Sequence, residues 1–561
     1  MIVVPEQRSM AHLATGVWGR VTLDQVLRKN AANAPDRLAL ADFADRSDWT
    51  RGEPERLTYA ALDRRVEALA AFFSGLGLKP DTVVACQLPA LADSVAVLFG
   101  LLRAGLIAAP LPLALREAEI TERLDALGAK GIVTVAETVG EPHGERMLAV
   151  AADLFQIRFV FGAGGPVPDG LIPLYRLYEE MDRLPPMRDI ARKGNAADHC
   201  ATVAWSLDLP AEAGATPAVV PRSHNHWIAT GLMTLLEAQI GTGAVIVSSL
   251  APSGLAGLGA AVLPWLLSAG TLVLGLPASV DRLAEEVAEH AADHVVVPAL
   301  FARRLSERLD AHKASANLLV VSGDRLAEVE LPRGTAAVDV ITLGERALIA
   351  RRRRDPAAAA LIPLGAIGAP SETAIAPTLV ETQLRVTPAR PGAPSPARDG
   401  TGELMVRGAM VPEATWPEAD RTGLRDRPRE GDGWVRTGII ARPDPERSRN
   451  LILTGRGSEI GGTGGLEFDL TVLDALFRDV GDFADAAAVP LRDEDGFERL
   501  AAAVVPKPGA AFDPEGFIAA LAEHRIGPHR LPHVVLPVPA IARAPSGRVM
   551  RAGMASHLMR R

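Results

Sequence analysis

Few stretches of this sequence combine residue types and spacing that could do chemistry, and the clearest runs from Gly402 to Ile460. It reads Gly402-Glu403-Leu404-Met405-Val406-Arg407-Gly408, then Gly431-Asp432-Gly433-Trp434-Val435-Arg436-Thr437-Gly438-Ile439, then Leu453-Thr454-Gly455-Arg456-Gly457-Ser458-Glu459-Ile460. Short β-type runs parted by glycines and charged turns predict strands with tight reversals. The closing Gly-Arg-Gly-Ser reads as a joint, beyond which the remaining residues have the size of a small domain. A second stretch, Arg351 to Arg354, is four consecutive arginines. It could meet a phosphate or a nucleic acid, but as a lone cluster in an acidic chain it is expected to be a solvated turn. No Gly-x-Ser-x-Gly elbow stands in a convincing strand-to-helix context, which argues against a general hydrolase.

The elements that must position these residues follow from periodicity. Val21 to Arg37 predicts an amphipathic helix capped by Thr22 or Asp24. Leu57 to Leu62 leads into a helix through Leu69, Phe72, Phe73 and Leu76. Strand Val83–Leu88, helix Leu91–Ala104, strand Leu106–Leu111, helix Arg116–Leu127 and strand Gly131–Val135 then alternate at βαβ spacing, which argues for a mostly parallel sheet with helices on its faces. From Met147 to Ala197 the pattern weakens to an irregular connector, with Gly162 to Pro168 as a loop. Strand and helix patterns return at Ala201–Ser206, Asp281–His290, His294–Pro298, Leu300–Leu309 and Leu318–Ser322. After residue 457 one helix, strands at Ala484–Pro490 and Leu500–Pro506, a second helix and a last strand at His533–Leu536 predict a small α+β unit.

The chain has 561 residues and a net charge of −9. Its pI is near 5.8, so a generally basic nucleic-acid surface is not expected. Two cysteines, Cys86 and Cys200, argue against a disulfide framework and fit a cytoplasmic setting. Ala238 to Val280 carries no charge, a length that could span a bilayer, but its glycines and prolines favour buried strands and helices, with plain core ahead of an acyl channel.

These motifs resemble the AMP-forming acyl-CoA synthetase (adenylate-forming enzyme) family, as a divergent member with altered ATP-site motifs. The resemblance rests on GEL-x-V-x-G at Gly402–Gly408, Gly433-Trp434 before Thr437-Gly438, Gly455-Arg456, Leu57-Thr58-Tyr59 before Leu62, Pro221-Arg222-Ser223-His224, Ser322-Gly323, and Ser546-Gly547-Arg548. It implies an α/β fold: a large N-terminal domain of mixed and parallel sheets with flanking helices (1–456, the AMP-binding or adenylation domain) and a small α+β C-terminal cap domain (457–561). It implies an AMP-forming ligase joining a carboxylic acid, with a fatty acid expected, to CoA through an acyl-adenylate. ATP, Mg2+ and CoA are the implied cofactors and partners, with no nucleic acid and no transmembrane segment.

By the resemblance, Glu345 is the carboxylate that holds Mg2+ and, with Arg548, carries the chemistry, while Ser206, Gly323, Thr342 and Arg456 contact the nucleotide. Ser458 takes the hinge position. Several positions depart from the family. Between Ser206 and Pro221 the glycine run of the phosphate loop is gone, Ala218 stands at its lysine, and Asp208 and Glu212 would repel phosphate. Arg222 is the one cation nearby. Ile439 replaces an aspartate that accepts both ribose hydroxyls, and Arg548 replaces a lysine whose compact charge it does not reproduce. A second reading is therefore open: a ligase fold that has lost adenylation and binds an acyl ligand or a partner.

Overall fold

The computed structural model describes the chain except residues 188–189, 207–217, 324–328, 386–399, 415, 417–432, 457–459, 464–465, 482, 493–497, 508–511, 525, 543–548 and 559–561. Thr22 begins the architecture as expected. Its hydroxyl accepts from the Gln25 N–H while Gln25 answers the Thr22 N–H, a reciprocal cap on the helix Leu23–Asn33. Thr58 caps the helix Tyr59–Gly75 one way only, its hydroxyl accepting the Ala61 N–H.

The helix Ala92–Arg103 is buried over every residue. Its Gly100 has a specific reason: a side chain there would meet the Leu69 Cβ at 2.6 Å, so the two helices touch because one of them has no Cβ. These helices flank a seven-stranded sheet in the order Ile172–Pro173, Phe159–Ala163, Gly131–Val135, Val83–Gln87, Ile107–Pro110, Cys200–Ser206, Ala218–Ser223. It is parallel except for its last pair.

An eight-stranded sheet follows in the order Ala347–Arg352, Ala337–Leu343, Asn317–Ser322, His294–Pro298, Val245–Ser248, Thr271–Leu274, Leu38–Asp42, Arg56–Thr58. Its centre is parallel and both edges are antiparallel. A third, antiparallel sheet of six strands holds Gly402–Arg407, Val435–Pro443 and Asn450–Arg456 side by side. The smaller C-terminal part has a two-stranded ribbon, Ile460–Thr463 with Leu466–Asp469, and a three-stranded sheet of Phe483–Arg492, Glu498–Pro506 and Val534–Pro537. Helices Leu470–Asp479 and Pro514–Glu523 face that sheet through Phe477 and Phe517, whose rings meet edge to face at 5.5 Å. The fold is thus mixed α/β with a large N-terminal domain and a smaller C-terminal one.

Three local readings need correction or completion. The expected irregular connector contains the helix His143–Asp153, the strand Phe159–Ala163 and the helix Leu174–Glu179. Gly162 belongs to that strand, because Val167 lies where its side chain would be. The arginine run is not a solvated turn. Arg351 and Arg352 end an edge strand, and Arg353 is buried, donating from Nε and a terminal nitrogen to both Asp339 oxygens at 2.8–3.1 Å. The uncharged run is core. Leu255–Val262 forms a wide helical turn, continued by the helix Leu263–Ser268, and both pack in the main hydrophobic cluster. Among the described residues no helix is long and apolar enough to cross a membrane.

Candidate functional site

The carboxyl ends of the parallel strands in the eight-stranded sheet carry three of the six expected site residues, where open α/β sheets place ligands. Gly323 follows the strand Asn317–Ser322 and is exposed, with nothing among the described residues within 4 Å of where a Cβ would stand. Thr342 lies on the neighbouring strand, half-buried, and its hydroxyl donates to the Ser322 carbonyl at 3.3 Å. Gly344, at φ +55°, reverses the chain and delivers Glu345 beside them.

Glu345 does something the sequence did not foretell. Its Oε1 accepts the N–H of Leu255 at 3.2 Å, the first residue of the wide helical turn. A carboxylate at that position satisfies an orphan donor and faces the positive end of the helix. Gly254 makes room: it sits at φ +65°, and a Cβ there would lie 2.5 Å from Oε1. Oε2 is buried and has no hydrogen-bond partner among the described residues. Burial raises the Glu345 carboxyl above the usual carboxylate range, and the Arg222 charge opposes this in part.

Arg222 was the nearby cation for an altered phosphate loop, and the structure places it otherwise. It has no exposed surface. Its guanidinium lies over the Trp227 ring, 5.1 Å from the centroid, and donates to the Met410 carbonyl at 3.0 Å and the Glu345 carbonyl at 2.8 Å. Burial lowers its pKa to about 10. Arg222 sits on the last strand of the seven-stranded sheet, Glu345 on the turn of the eight-stranded sheet, and Met410 just beyond a strand of the six-stranded sheet. One side chain therefore ties three sheets together. The Pro-Arg-Ser-His run was visible in the sequence, but nothing in it announced two carbonyl partners so far along the chain.

Ser206 ends the strand Cys200–Ser206 and pairs with Ala218. Arg456 ends Asn450–Arg456 and pairs with Ile439. The Ile439 side chain is fully buried in the main core, and its N–H donates to the Thr437 hydroxyl at 3.1 Å. The altered phosphate loop at 207–217, the hinge Ser458 and Arg548 lie outside the described residues. The structure thus brings Gly323, Thr342 and Glu345 to one sheet edge, while Ser206 and Arg456 stand at strand ends of the other two sheets.

The residues present fit the implied groups unequally. The unpartnered Oε2 of Glu345 is the kind of hard oxygen donor a divalent cation takes. Position 439 offers ribose no acceptor, since an isoleucine side chain cannot accept a hydrogen bond.

Residues 27–171 match the family described as AMP-binding enzyme. The chain is 26% identical to the 2-hydroxy-7-methoxy-5-methyl-1-naphthoate–CoA ligase of Streptomyces carzinostaticus, over 97% of this chain and 94% of that one. It is 26% identical to the salicyl-AMP ligase / salicyl-S-ArCP synthetase of Mycobacterium tuberculosis, over 99% and 94%. Its fold is similar to the Mycobacterium smegmatis MbtA apo structure, with a TM-score of 0.62 at 22% identity over 99% of this chain and 98% of that one.

Proposed function

We propose that the chain is an adenylate-forming acid–thiol ligase acting on an aromatic carboxylic acid. One observation carries the choice of acid. Three of the relatives that align over nearly the whole chain, each 26% identical, are named for a naphthoate or for salicylate, and they favour an aromatic acid over the fatty acid expected from the sequence. ATP is the activating co-substrate in this reading, and CoA or a carrier-bound thiol is the acceptor. Glu345 would hold Mg2+ through Oε2, with Gly323 and Thr342 beside the nucleotide. The cation would neutralise phosphate charge, and the work left to the protein is positioning. The adenylation domain is taken as 1–456 and the cap as 457–561, and Arg548 would supply the charge that acts on the carboxylate and α-phosphate. Both cysteines are buried and unpaired, in keeping with a cytoplasmic setting.

Ile439 stands where the ribose contact is expected. Losing a charged acceptor there weakens nucleotide binding by about 1–3 kcal/mol, roughly tenfold to a hundredfold. A second reading is favoured by the same residue: a ligase fold that binds an aromatic acid or a partner and no longer adenylates.

Calorimetry separates the two. The purified protein would be titrated with Mg·ATP alone and together with salicylate, a hydroxynaphthoate and octanoate, followed by pyrophosphate release. The ligase reading expects ATP binding that strengthens with an aromatic acid and pyrophosphate released with that acid. Aromatic-acid binding with no ATP binding at millimolar concentration would select the second reading. A response to octanoate alone would overturn the choice of acid.

A further inference from the structure

The two parts of the molecule have separate cores. One hydrophobic cluster gathers residues from Val3 to Leu453, and two others gather only residues from Phe468 onward. The chain passes from one part to the other between Leu453 and Phe468. Where no shared apolar core fixes the relation of two domains, relative motion is the ordinary expectation and polar contacts set the orientation.

Three contacts from the C-terminal part converge on one carboxylate of the N-terminal part, Glu119. Its Oε2 accepts the Gly527 N–H at 2.8 Å. Its Oε1 accepts from Arg530 at 3.1 Å and lies 3.4 Å from Nε2 of His529. Glu119 is only 3% exposed and His529 7%. Oε2 also accepts the Arg116 N–H at 3.2 Å, which closes the first turn of the helix Glu117–Leu127 and holds the carboxylate still. The approach is close enough to require glycine: a Cβ on Gly527 would stand 2.5 Å from the Ala114 carbonyl oxygen. Arg123, one turn on, lies 6.0 Å from the ring of Trp205, the residue just before Ser206. The contact therefore borders the strand that leads into the altered phosphate loop.

We propose that Glu119 is the latch that holds the C-terminal domain in this orientation, with Gly527, His529 and Arg530 as its catch. Glu119 is a positioning residue. The buried carboxylate cannot be released from the C-terminal part without leaving Arg530 and the Gly527 N–H to find other partners, so the contact is stronger than an exposed ion pair. The proposal stands whether or not the chain adenylates, because it concerns only how the two parts are held.

The test is a distance measurement on the full chain. Spin labels are placed at Arg64→Cys on the larger part and Glu515→Cys on the smaller. The native cysteines are buried and do not compete. The parent is expected to give one narrow distance distribution. Glu119→Gln keeps the shape but removes the charge and one acceptor, and is expected to raise the undocked population at least about tenfold, the scale of one lost charged contact. Arg530→Gln should do the same from the other side, and the double variant should add little to either single one. Asp125→Asn, on the same helix and away from the catch, is the control. Unchanged distributions in Glu119→Gln and Arg530→Gln would overturn the proposal, as would an equal change in the control. If Glu119→Gln fails to fold, Arg530→Gln decides alone, because the core of the larger part does not use it.

Discussion

At position 439 an isoleucine with no exposed surface packs in the main core, on a strand paired with the one that ends at Arg456. Restoring the carboxylate expected of the family tests which environment the side chain occupies. Ile439→Asp should lose stability on the order of 3–5 kcal/mol, from lost core contacts and an unpaired buried carboxylate. It should give no gain in ATP affinity. A variant that melts like the parent and binds ATP more tightly would show that the position still faces a nucleotide. The isoleucine itself was legible in the sequence as a departure from Thr-Gly-Asp, and its burial was not, because burial depends on which sheet face the strand presents. Glu345 is similar. Its place after Gly344 could be read from the sequence, but the Leu255 N–H that takes one of its oxygens lies 90 residues away.

Elements were more legible than contacts. The stretch from Val83 to Val135 alternates strand and helix at spacings that leave little choice, and its boundaries fall within a residue or two of those observed. The stretch after Met147 was misread because Gly162, Ala163 and Gly164 look like a turn. The strand needs that glycine to admit Val167, and Met147 and Val150 already marked a helix face. The join between elements is where single changes should be felt most. Gly254→Ala would place a Cβ 2.5 Å from the Glu345 carboxylate at a positive φ. It should cost about 2 kcal/mol or more in chemical denaturation, from left-handed strain plus the displaced cap. Arg222→Met would leave the Met410 and Glu345 carbonyls without their donor at the meeting of three sheets. With the removed charge offsetting part of the loss, stability should fall by roughly 2 kcal/mol. An Arg222→Met protein more stable than the parent would mean the buried cation is a burden and not a joint.

For the whole molecule, the relation between the two parts should depend on pH through the catch. Burial depresses the pKa of His529 from 6.5 to about 4. Around it Glu119 favours the charged ring, and Arg530, Arg123 and Arg116 disfavour it. In the docked state His529 is therefore neutral at pH 5–6, whereas a released His529 with an ordinary pKa takes up a proton below about 6.5. The undocked form binds the extra proton, so acid favours release. Docking is insensitive to this group above pH 6.5, weakens by up to about tenfold per pH unit below it, and levels off near pH 4. The spin-label pair should show the docked fraction falling between pH 7 and pH 5 in the parent, and His529→Asn should flatten that slope while Asp125→Asn should not. A docked fraction that stays constant over this range, or a slope that survives in His529→Asn, would mean that another titrating group or none governs the contact. The slope should also survive at high salt, because the dominant cause is desolvation of a buried ring and only the smaller arginine contributions are open to screening.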